Sequence, residues 1–482
     1  MNIRTRMAPS PTGNLHLGTA YATLWPFLLA RKHKGTFVLR IEDTDQARST
    51  KEFAENILNG LKWLDLNWDE GPFYQMDRLA IYKTAAEKLL SEGKAYYCFC
   101  TKEELEEEKK QQVADKKPQI YSGKCRNLTK TEAEEKVKSG SPYVVRYKLP
   151  EGRGKVEFED LIHGKVLIDP TLLGDMVIMR GNGIPLYNFA VVVDDIDMKI
   201  THILRGDDHL SNTPKQILFF EALGGTIPQY GHYPMILNQD RVGKLSKRTG
   251  STSLEDYKKD GYLPEALVNY LALLGWTPSN DREVLTLEEL IEEFDVKDMN
   301  ESASAWNEQK LDWINGEYIR SLSDEELAKR IEEYLQIISQ GNLGKSDKLN
   351  GKSILQVIPL IKERIKKLSD FVPLTDFIFE EPEYEQSLFE QVLKERQKDL
   401  LEILNRITNT LESMGENWNT EKFESDFRKL AEELDLSSSQ MFQIIRLAVS
   451  GQLVTPPLFE SIKLIGEKEI LQRIKDLPQK LV

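Results

Sequence analysis

The stretch Arg6–Thr19, which reads RMAPSPTGNLHLGT, limits the fold more than any other part of the chain. Apolar and polar residues alternate from Ile3 to Met7, as in a strand, and an apolar helical pattern follows from Ala20 to His33. The prolines and glycines between them predict a tight loop. In a strand–loop–helix unit, the N–H groups at the helix N-terminus can bind an anion, and His16 and Thr19 add side-chain donors there. The stretch lacks the Gly-Lys-Ser/Thr of a Walker motif, and a helix start beside a buried histidine is the plain structural alternative.

A second stretch, Lys244–Arg248, brings three cations together in five residues. It belongs to a surface loop, Val242–Ser253, that is rich in glycine and hydroxyl residues. Cations flanked by glycine and hydroxyls suit a clamp on a polyphosphate. The alternative is a solvated basic loop.

Taken in order, these two stretches resemble the two signature motifs of class I aminoacyl-tRNA synthetases. Within that class the chain is most similar to the bacterial glutamyl-tRNA synthetases, and the similarity extends over essentially the whole chain. The segments that carry it are Arg6–Gly13, Arg40–Asp45, Leu204–His209 and Tyr262–Leu267. The resemblance implies an enzyme that activates L-glutamate with ATP and Mg²⁺ and then transfers it to glutamate tRNA, releasing AMP and pyrophosphate.

The predicted fold class is α/β, with a Rossmann-type nucleotide-binding domain first and an all-α region last. Strand and helix patterns alternate over 1–95 and again over 186–253, whereas 96–185 has an α+β pattern of its own. We therefore predict one catalytic domain that is interrupted by an inserted domain. After residue 253 the pattern is mainly helical, and we divide it into 254–322 and an all-helical region, 323–482. The resemblance implies that the insertion binds the tRNA acceptor stem, that 254–322 contacts the stem, and that 323–482 reads the anticodon.

Local signals predict several elements within this plan. Residues Lys51–Leu64 have an amphipathic helical period, and Thr213-Pro214 and Gly224 are start and stop signals of another helix, with Thr213 as its cap. The apolar run Tyr187–Val193 is too short for its period to separate strand from helix.

Charge and cysteine usage indicate the setting of the protein. The chain has 482 residues, a formal net charge of −14 and three cysteines. The few cysteines favour a reducing compartment. The chain contains no run of about 18 apolar residues, so no membrane span is predicted. The N-terminus has no apolar signal region. We therefore expect a cytoplasmic monomer without membrane contact. The acidic balance does not exclude RNA binding, because a local basic face can bind phosphates on an otherwise acidic surface.

The implied reaction needs donors more than it needs a general base. The glutamate carboxylate is already ionised, so the difficulty is to bring it to the α-phosphorus of ATP and to stabilise the charge that develops there. The resemblance implies catalytic roles for His16, Thr19, Lys244 and Lys247. The residues that it places on ATP are Pro11, His16, Gly18, Thr19, Leu245, Ser246 and Lys247.

Glutamate carries two carboxylates and one ammonium, so a selective pocket needs cations and an anion together. Arginine can bind a carboxylate through two parallel hydrogen bonds, which suits Arg6 and Arg205, while Glu42 can take the ammonium. The alternatives are structural ion pairs for the arginines and a core aromatic for Tyr187. The resemblance implies a glutamate-binding set of Arg6, Ala8, Ser10, Glu42, Tyr187 and Arg205.

All three cysteines lie in one short span, as Cys98, Cys100 and Cys125. Structural zinc takes four ligands, chiefly thiolate and imidazole, and no histidine lies in this span. Asn127 stands where some relatives have histidine or aspartate, and Tyr121 has the spacing that a related tRNA-modifying enzyme uses for zinc. We predict one structural Zn²⁺ on the three thiolates with Tyr121 as the fourth ligand. The alternative is three reduced, packed cysteines.

Three other functions compete with this interpretation. A short paralogue that glutamylates a modified tRNA base lacks the helical C-terminal region, and typical glutaminyl enzymes carry a β-barrel there. An inactive descendant is expected to have lost His16 or Lys247. The intact motifs and the helical end disfavour all three, but the sequence leaves open whether glutamine tRNA is charged as well.

Overall fold

The structure is a computed structural model that describes residues 2–243, 245, 253–338, 351–415 and 418–481. The chain divides into two compact units. The first consists of Met1–Asp256 and Pro264–Glu308, and the second of Tyr257–Leu263 and Gln309–Val482. The domain boundaries given above stay predictions.

The first unit begins with alternating strands and helices. In chain order these are β1 (Arg4–Met7), α1 (Leu17–Lys32), β2 (Thr36–Ile41), α2 (Lys51–Trp63), β3 (Glu70–Tyr74) and α3 (Leu79–Ser91). β1 and β3 both pair with β2 in parallel. α2 forms where its period predicts a helix, because Thr50 caps it by accepting a hydrogen bond from the Phe53 amide and its apolar face buries Ile57 and Leu61.

The middle of the first unit has a different make-up. Its elements are β4 (Ala95–Cys98), α4 (Lys102–Ala114), α5 (Lys130–Lys138), β5 (Val144–Tyr147), β6 (Val156–Asp160), β7 (Gly164–Ile168) and β8 (Val177–Met179). β4, β5 and β8 form a separate antiparallel sheet, whereas β6 and β7 form a hairpin. α4 buries none of its side chains, as expected for a solvated charged helix.

The chain then returns to α/β structure. The next elements are α6 (Tyr187–Asp197), β9 (His202–Gly206), α7 (Thr213–Leu223) and β10 (Gln229–Tyr233). β10 pairs in parallel with both β9 and β6, so the sheet order is β7-β6-β10-β9. The β6–β7 hairpin therefore extends the sheet to which β9 and β10 belong.

Two local predictions in this part have different outcomes. α7 begins at Thr213 and ends before Gly224, as predicted, and Gly224 has a left-handed φ of 76° that favours glycine. The capping role predicted for Thr213 is wrong, because the residue before it is the N-cap and the Thr213 hydroxyl contacts Arg205 instead. The ambiguous run that starts at Tyr187 is helical, and its burial on nearly all sides explains why it has no one-sided period.

The described residues after β10 are mainly helical. Their helices are α8 (Leu254–Lys259), α9 (Pro264–Gly275), α10 (Leu287–Glu293), α11 (Glu308–Ser321), α12 (Asp324–Ile338), α13 (Gly351–Ile361), α14 (Phe371–Phe379), α15 (Gln386–Leu393), α16 (Leu400–Met414), α17 (Thr420–Glu433), α18 (Ser438–Ser450), α19 (Leu458–Ile465) and α20 (Glu467–Lys480). No strand occurs among the described residues after 354, which agrees with the prediction. The C-terminal helices enclose an apolar core that includes Phe389, Phe427 and Ile444.

Candidate active site

The C-terminal ends of β1, β2 and β9 border a cavity of about 150 Å³ in the first unit. Open α/β sheets bind ligands at this edge. Its lining includes most of the predicted glutamate-binding set, namely Arg6, Ala8, Glu42, Tyr187 and Arg205. Ser10, the remaining member, is exposed and stands outside the lining.

A network of buried charges lies next to this cavity. Arg40, on β2, is fully buried, and its Nη1 donates to Asp195 Oδ1 at 2.7 Å. Arg6 Nε donates to the same oxygen at 3.3 Å, and Arg40 Nη2 donates to Glu42 Oε1 at 3.2 Å. Arg40 therefore helps to fix two side chains of the cavity wall. It contacts Glu42 directly, and it shares the Asp195 carboxylate with Arg6. Its charge also offsets the repulsion between the neighbouring carboxylates.

Glu42 has the electrostatic environment of a cation-binding group. Burial raises the pKa of Glu42, although the charges of Arg40 and Arg6 oppose that rise. A cation that enters the cavity would stabilise the ionised carboxylate. An ammonium group next to Glu42 meets this condition.

Arg205, at the end of β9, is buried and has a different set of partners. Its Nε donates to His232 Nε2 at 3.1 Å, and its Nη2 donates to Thr213 Oγ1 at 2.7 Å. Its Nη1 is buried and has no hydrogen-bond partner in the described part of the chain. Leaving a charged donor buried and unpaired is unfavourable. A carboxylate bound in the cavity would satisfy this nitrogen.

Tyr187 and His209 form another part of the cavity wall. The Tyr187 hydroxyl lies 3.3 Å from His209 Nδ1. Burial raises the pKa of Tyr187 to about 12, and the Glu42 charge acts in the same direction. Burial, together with the nearby Arg205 charge, lowers the pKa of His209 to about 4. At neutral pH the phenol is therefore a hydrogen-bond donor and the imidazole is uncharged.

The predicted phosphate loop ends at the N-terminus of α1. His16 is the N-cap residue, and its Nε2 lies 3.1 Å from Thr19 Oγ1. The first-turn sequence Leu17–Ala20 has no acidic residue, so that turn does not neutralise the positive end of the helix dipole. Gly18 lines the cavity described above, so the helix start and the cavity are adjacent.

The loop of the predicted lysine clamp is anchored at both ends in the same unit. Leu245 donates its N–H to the Ile236 carbonyl at 2.9 Å, and Ser253 forms a backbone bridge with His16. The chain therefore comes back from this loop directly to the start of α1. Three predicted phosphate-binding residues lie outside the described residues, namely Lys244, Ser246 and Lys247.

A second cleft, of about 560 Å³, borders the loop before α1. Pro11, which the resemblance places on ATP, lines this cleft together with Asp43 and Lys51. Asp43 Oδ1 accepts a hydrogen bond from the Met76 amide at 2.9 Å, which orients the carboxylate. Burial raises the pKa of Asp43.

The three cysteines and Tyr121 converge on one point. The three sulfur atoms lie within 4.8 Å of one another, and Sγ of Cys100 is 3.6 Å from Sγ of Cys125. Tyr121 Oη lies 3.4 Å from Sγ of both Cys98 and Cys100. A tetrahedral Zn²⁺ with bonds of about 2.3 Å to sulfur separates its ligands by roughly 3.8 Å. The four side chains therefore have the donor types and the spacing that fit such an ion.

Several residues around the cavity have no functional role in the sequence analysis, namely Arg40, Asp195, His209, Thr213 and His232. For Arg40 and Asp195 a signal is present, because each is a charged residue beside a run of apolar ones and needs a buried partner. His232 gives a weaker signal, since a histidine in a strand is also compatible with simple core packing.

The fold and the site together match one class of enzyme. The family model for the catalytic domain of tRNA synthetases class I (E and Q) matches residues 2–313, and the model for an anticodon binding domain matches residues 326–478. With the parallel sheet and the arginine-lined cavity, these matches define a class I aminoacyl-tRNA synthetase. They also exclude the short paralogue that ends before the helical region.

Relatives that match along the whole chain identify the family more closely. The chain is 45% identical over 474 residues to glutamate–tRNA ligase 1 of Caldanaerobacter subterraneus subsp. tengcongensis, with 98% of this chain and 97% of that protein covered. It is 44% identical over 474 residues to glutamate–tRNA ligase 2 of Thermoanaerobacter pseudethanolicus, with the same coverage of 98% and 97%. The crystal structure of a glutamate tRNA ligase from Elizabethkingia meningosepticum, in complex with its amino acid, has a TM-score of 0.86 at 29% identity and covers 100% of both chains. The chain belongs to the glutamate–tRNA ligase family.

Family membership confirms the enzyme class, the fold class and the reaction that the sequence predicts. The reaction is the ATP-dependent ligation of glutamate to tRNA, and enzymes of this class use ATP with Mg²⁺. Among the described helices, none has the length and apolar character needed to cross a membrane.

Proposed function

We propose that the cavity of about 150 Å³ binds L-glutamate and that the start of α1 binds the triphosphate of ATP beside it. The observation that carries this proposal is the buried, unpartnered Nη1 of Arg205 in a cavity that also contains Arg6 and Glu42. Two guanidinium groups and one carboxylate complement the two carboxylates and the ammonium of glutamate. Glutamine would leave a guanidinium buried without a charged partner, and the pocket should reject it for that reason.

In the first step, an oxygen of the glutamate α-carboxylate attacks the α-phosphorus of ATP. A new O–P bond forms, and the bond from the α-phosphorus to the oxygen that bridges it to the β-phosphorus breaks. Pyrophosphate leaves with that oxygen, and glutamyl-adenylate remains. No proton has to move, so positioning and charge stabilisation supply the acceleration.

In this proposal the triphosphate lies at the start of α1. His16, Thr19 and the first amides of α1 hold the triphosphate in this proposal, with further contacts from Pro11, Gly18, Leu245 and Ser246. Lys244 and Lys247 stabilise the charge that develops on the phosphates. The backbone bridge between Ser253 and His16 supports this assignment, because it returns the lysine loop to the helix start. Mg²⁺ that arrives with ATP neutralises further phosphate charge.

In the second step, the 2′-hydroxyl of the terminal adenosine of tRNA attacks the carbonyl carbon of the adenylate. An ester bond forms, the bond from the carbonyl carbon to the phosphate oxygen breaks, and AMP departs while the hydroxyl proton is released. We assign the terminal adenosine to the cleft with Pro11, Asp43 and Lys51, since that cleft flanks the loop before α1. The adenylate is already reactive, so orientation dominates this step as well.

The helical C-terminal region reads the tRNA in this proposal, and glutamate tRNA is the substrate. Arg446, on α18, has a buried Nε without a partner among the described residues. Burial lowers the pKa of Arg446, and the like charge of Arg364 lowers it further. Two close cations favour an anion between them, as an RNA backbone provides. Arg446→Ala should weaken binding of glutamate tRNA and leave ATP binding unchanged, and tRNA with altered anticodons shows whether the loss is specific.

We also propose that Cys98, Cys100, Cys125 and Tyr121 hold one structural Zn²⁺, which would tie the segment after β4 to the loop before α5. Metal analysis of protein purified without chelator should find about one zinc per chain. Cys100→Ser should lower the zinc content, whereas Asn127→Ala, two residues after Cys125, should retain it. Metal-free protein with full aminoacylation activity would exclude the zinc site.

A cytoplasmic monomer completes the proposal. The free cysteines of the metal cluster fit a reducing compartment. Light scattering of the purified protein tests the monomer.

The decisive experiment for the reaction is ATP–pyrophosphate exchange with separate omission of glutamate and tRNA. Enzymes that resemble this one activate glutamate only with tRNA bound, so we expect exchange to need both. If glutamine supports exchange as efficiently as glutamate does, the assignment of the cavity to glutamate is wrong. Charging of glutamate and glutamine tRNA side by side determines whether the second is also a substrate.

A further inference from the structure

A chain of three buried side chains extends from the cavity into the sheet behind Arg205. Arg205 Nε donates to His232 Nε2 at 3.1 Å, and His232 Nδ1 lies 2.6 Å from Asp160 Oδ2. Asp160 and His232 are 2% and 0% exposed and do not line the cavity. Parallel pairing of β9 and β10 puts Arg205 and His232 in register, and Asp160 ends β6 on the far side of β10.

Asp160 is held as an ionised carboxylate. Its Oδ1 accepts hydrogen bonds from the amides of Ile162, His163 and His232 at 3.0, 3.1 and 3.2 Å. Burial alone would raise the pKa of Asp160, but its hydrogen bonds to His232 and to the backbone bring it below the ordinary value. An ionised carboxylate can only accept, so Nδ1 of His232 carries the proton and donates to Oδ2.

His232 is therefore a neutral imidazole whose Nε2 is an acceptor. Burial lowers the pKa of His232, which outweighs the opposing effect of Asp160, and the Arg205 charge lowers it further. A proton on Nε2 would point at the guanidinium N–H, which is also a donor. The Thr213 hydroxyl, 2.9 Å from Nε2, completes the surroundings of this nitrogen.

The two arginines of the cavity thus differ in how their charges are balanced. Arg6 Nε contacts a carboxylate oxygen of Asp195 directly, at 3.3 Å. In the described structure, the acceptors of Arg205 are all neutral: the His232 imidazole, the Thr213 hydroxyl and, at 3.5 Å, the His209 carbonyl. The imidazole orients the guanidinium while it keeps the Asp160 charge one ring away, where the attraction is weaker.

We propose that His232 and Asp160 are positioning residues that hold Arg205 with an uncompensated charge. The free Nη1 of Arg205 then selects the side-chain carboxylate of glutamate over the neutral side-chain amide of glutamine. The inference rests on the proposed role of Arg205 as a glutamate ligand. A guanidinium paired directly with a buried carboxylate would have little net charge left and would discriminate poorly between acid and amide.

Asp160→Asn tests the inference with almost no change of shape. The new amide N–H₂ can donate to Nδ1, which favours the other tautomer of His232 and turns an N–H towards Arg205. In tRNA-dependent exchange we expect the KM for glutamate to rise roughly 10- to 100-fold, the range seen when residues that orient a ligand are changed. The KM for ATP should stay unchanged, and the preference for glutamate over glutamine should fall.

Substitutions of His232 separate positioning from folding. His232→Leu removes the acceptor but suits a buried strand, whereas the amide oxygen of His232→Gln can still accept from Arg205. We expect the glutamate KM to rise more for His232→Leu than for His232→Gln, while the KM for ATP stays unchanged in both variants. The urea midpoint should be lower for His232→Leu, because that variant leaves Asp160 Oδ2 without its hydrogen-bond partner. Matched controls are Tyr230→Phe, which keeps the ring stacked on His232, and His202→Gln, which changes a histidine elsewhere on β9. Both controls should keep the wild-type glutamate KM.

The Arg205→Ala variant separates the proposed glutamate-binding role of the cavity from the positioning role of Asp160 and His232. If Arg205→Ala leaves the glutamate KM unchanged, the proposed function of the cavity is wrong. If Arg205→Ala raises it but Asp160→Asn and His232→Leu do not, the positioning role alone is wrong. Equal rises in the KM values for ATP and glutamate would also overturn that role, as would an added loss from Asp160→Asn in the Arg205→Ala background.

Discussion

The glutamate end and the phosphate end of the proposed active site are built in opposite ways. At the glutamate end, Arg40, Asp195 and Arg205 are buried, and other buried side chains hold them in place. At the phosphate end, His16 is exposed at a helix start, and its backbone forms a bridge with Ser253. If these assignments hold, discrimination among amino acids resides in the folded core, and the triphosphate meets donors at the surface.

The difference follows from what each end has to do. To reject glutamine, the site needs a desolvated charged donor. When glutamine binds, this donor is left without a charged partner, which disfavours the complex. Holding a triphosphate requires several donors at once and the later release of pyrophosphate, which donors on a helix start and a loop permit. Substitutions at the glutamate end should therefore change selectivity and stability together, and substitutions at the phosphate end should change rate or ATP affinity alone.

The largest effect is expected from removal of the uncompensated cation. Arg205→Ala leaves a bound carboxylate buried without its partner. This should raise the activation free energy that corresponds to kcat/KM for glutamate by about 3–5 kcal/mol, so kcat/KM should fall by more than two powers of ten. The KM for ATP should not change. Arg282→Ala, at a more exposed arginine that pairs with Glu289, is the matched control. Equal losses for both substrates would mean that Arg205 is structural.

At the phosphate end the chemical step should be the sensitive quantity. Lys247→Ala should slow adenylate formation by roughly two to three powers of ten, as for other single preorganised donors. tRNA affinity should survive, because most phosphate contacts of the tRNA lie elsewhere. Rapid-quench measurement of adenylate formation checks the rate, with the exposed Lys83→Ala as control. A normal rate would remove Lys247 from the mechanism.

Stability should respond to the buried network and not to surface pairs. Asp195→Asn weakens charged hydrogen bonds to Arg40 and Arg6, so the free energy of unfolding should fall by about 1.5–3 kcal/mol and the glutamate KM should rise. Asp45→Asn breaks only an exposed pair with Arg48, so its effect should stay within about 1 kcal/mol. Urea unfolding compares the two variants. Similar losses would contradict the stabilising role given to the buried network.

The smallest effect is expected from a single hydroxyl at the helix start. Thr19→Val removes the group that lies 3.1 Å from His16 Nε2, and the KM for ATP should rise up to about tenfold, or roughly 0.5–1.5 kcal/mol. The free energy of unfolding should hardly change. Thr84→Val, on the exposed face of α3, is the control. A shift in the glutamate KM alone would place Thr19 at the other end of the site.

Local patterns predicted much of the fold correctly. The strand before the phosphate loop, the helix after it and the stop of α7 at Gly224 follow from periodicity and turn residues, which act over a few neighbouring positions. The same patterns could not assign the run at Tyr187, because the run is short and burial on nearly all sides of this helix removes its one-sided period. They also misassigned Thr213, whose hydroxyl has a more distant partner than the helix start.

The sequence by itself determined the family and predicted the residues proposed to bind glutamate and ATP, because each of them stands in a short motif that neighbouring positions define. The partners that orient those groups were decided by the tertiary structure. His232 lies 27 positions from Arg205, and Asp160 lies 72 positions from His232. They meet because β6, β10 and β9 are neighbours in the sheet, and strand order depends on the packing of the whole unit, which short-range spacing in the sequence does not encode.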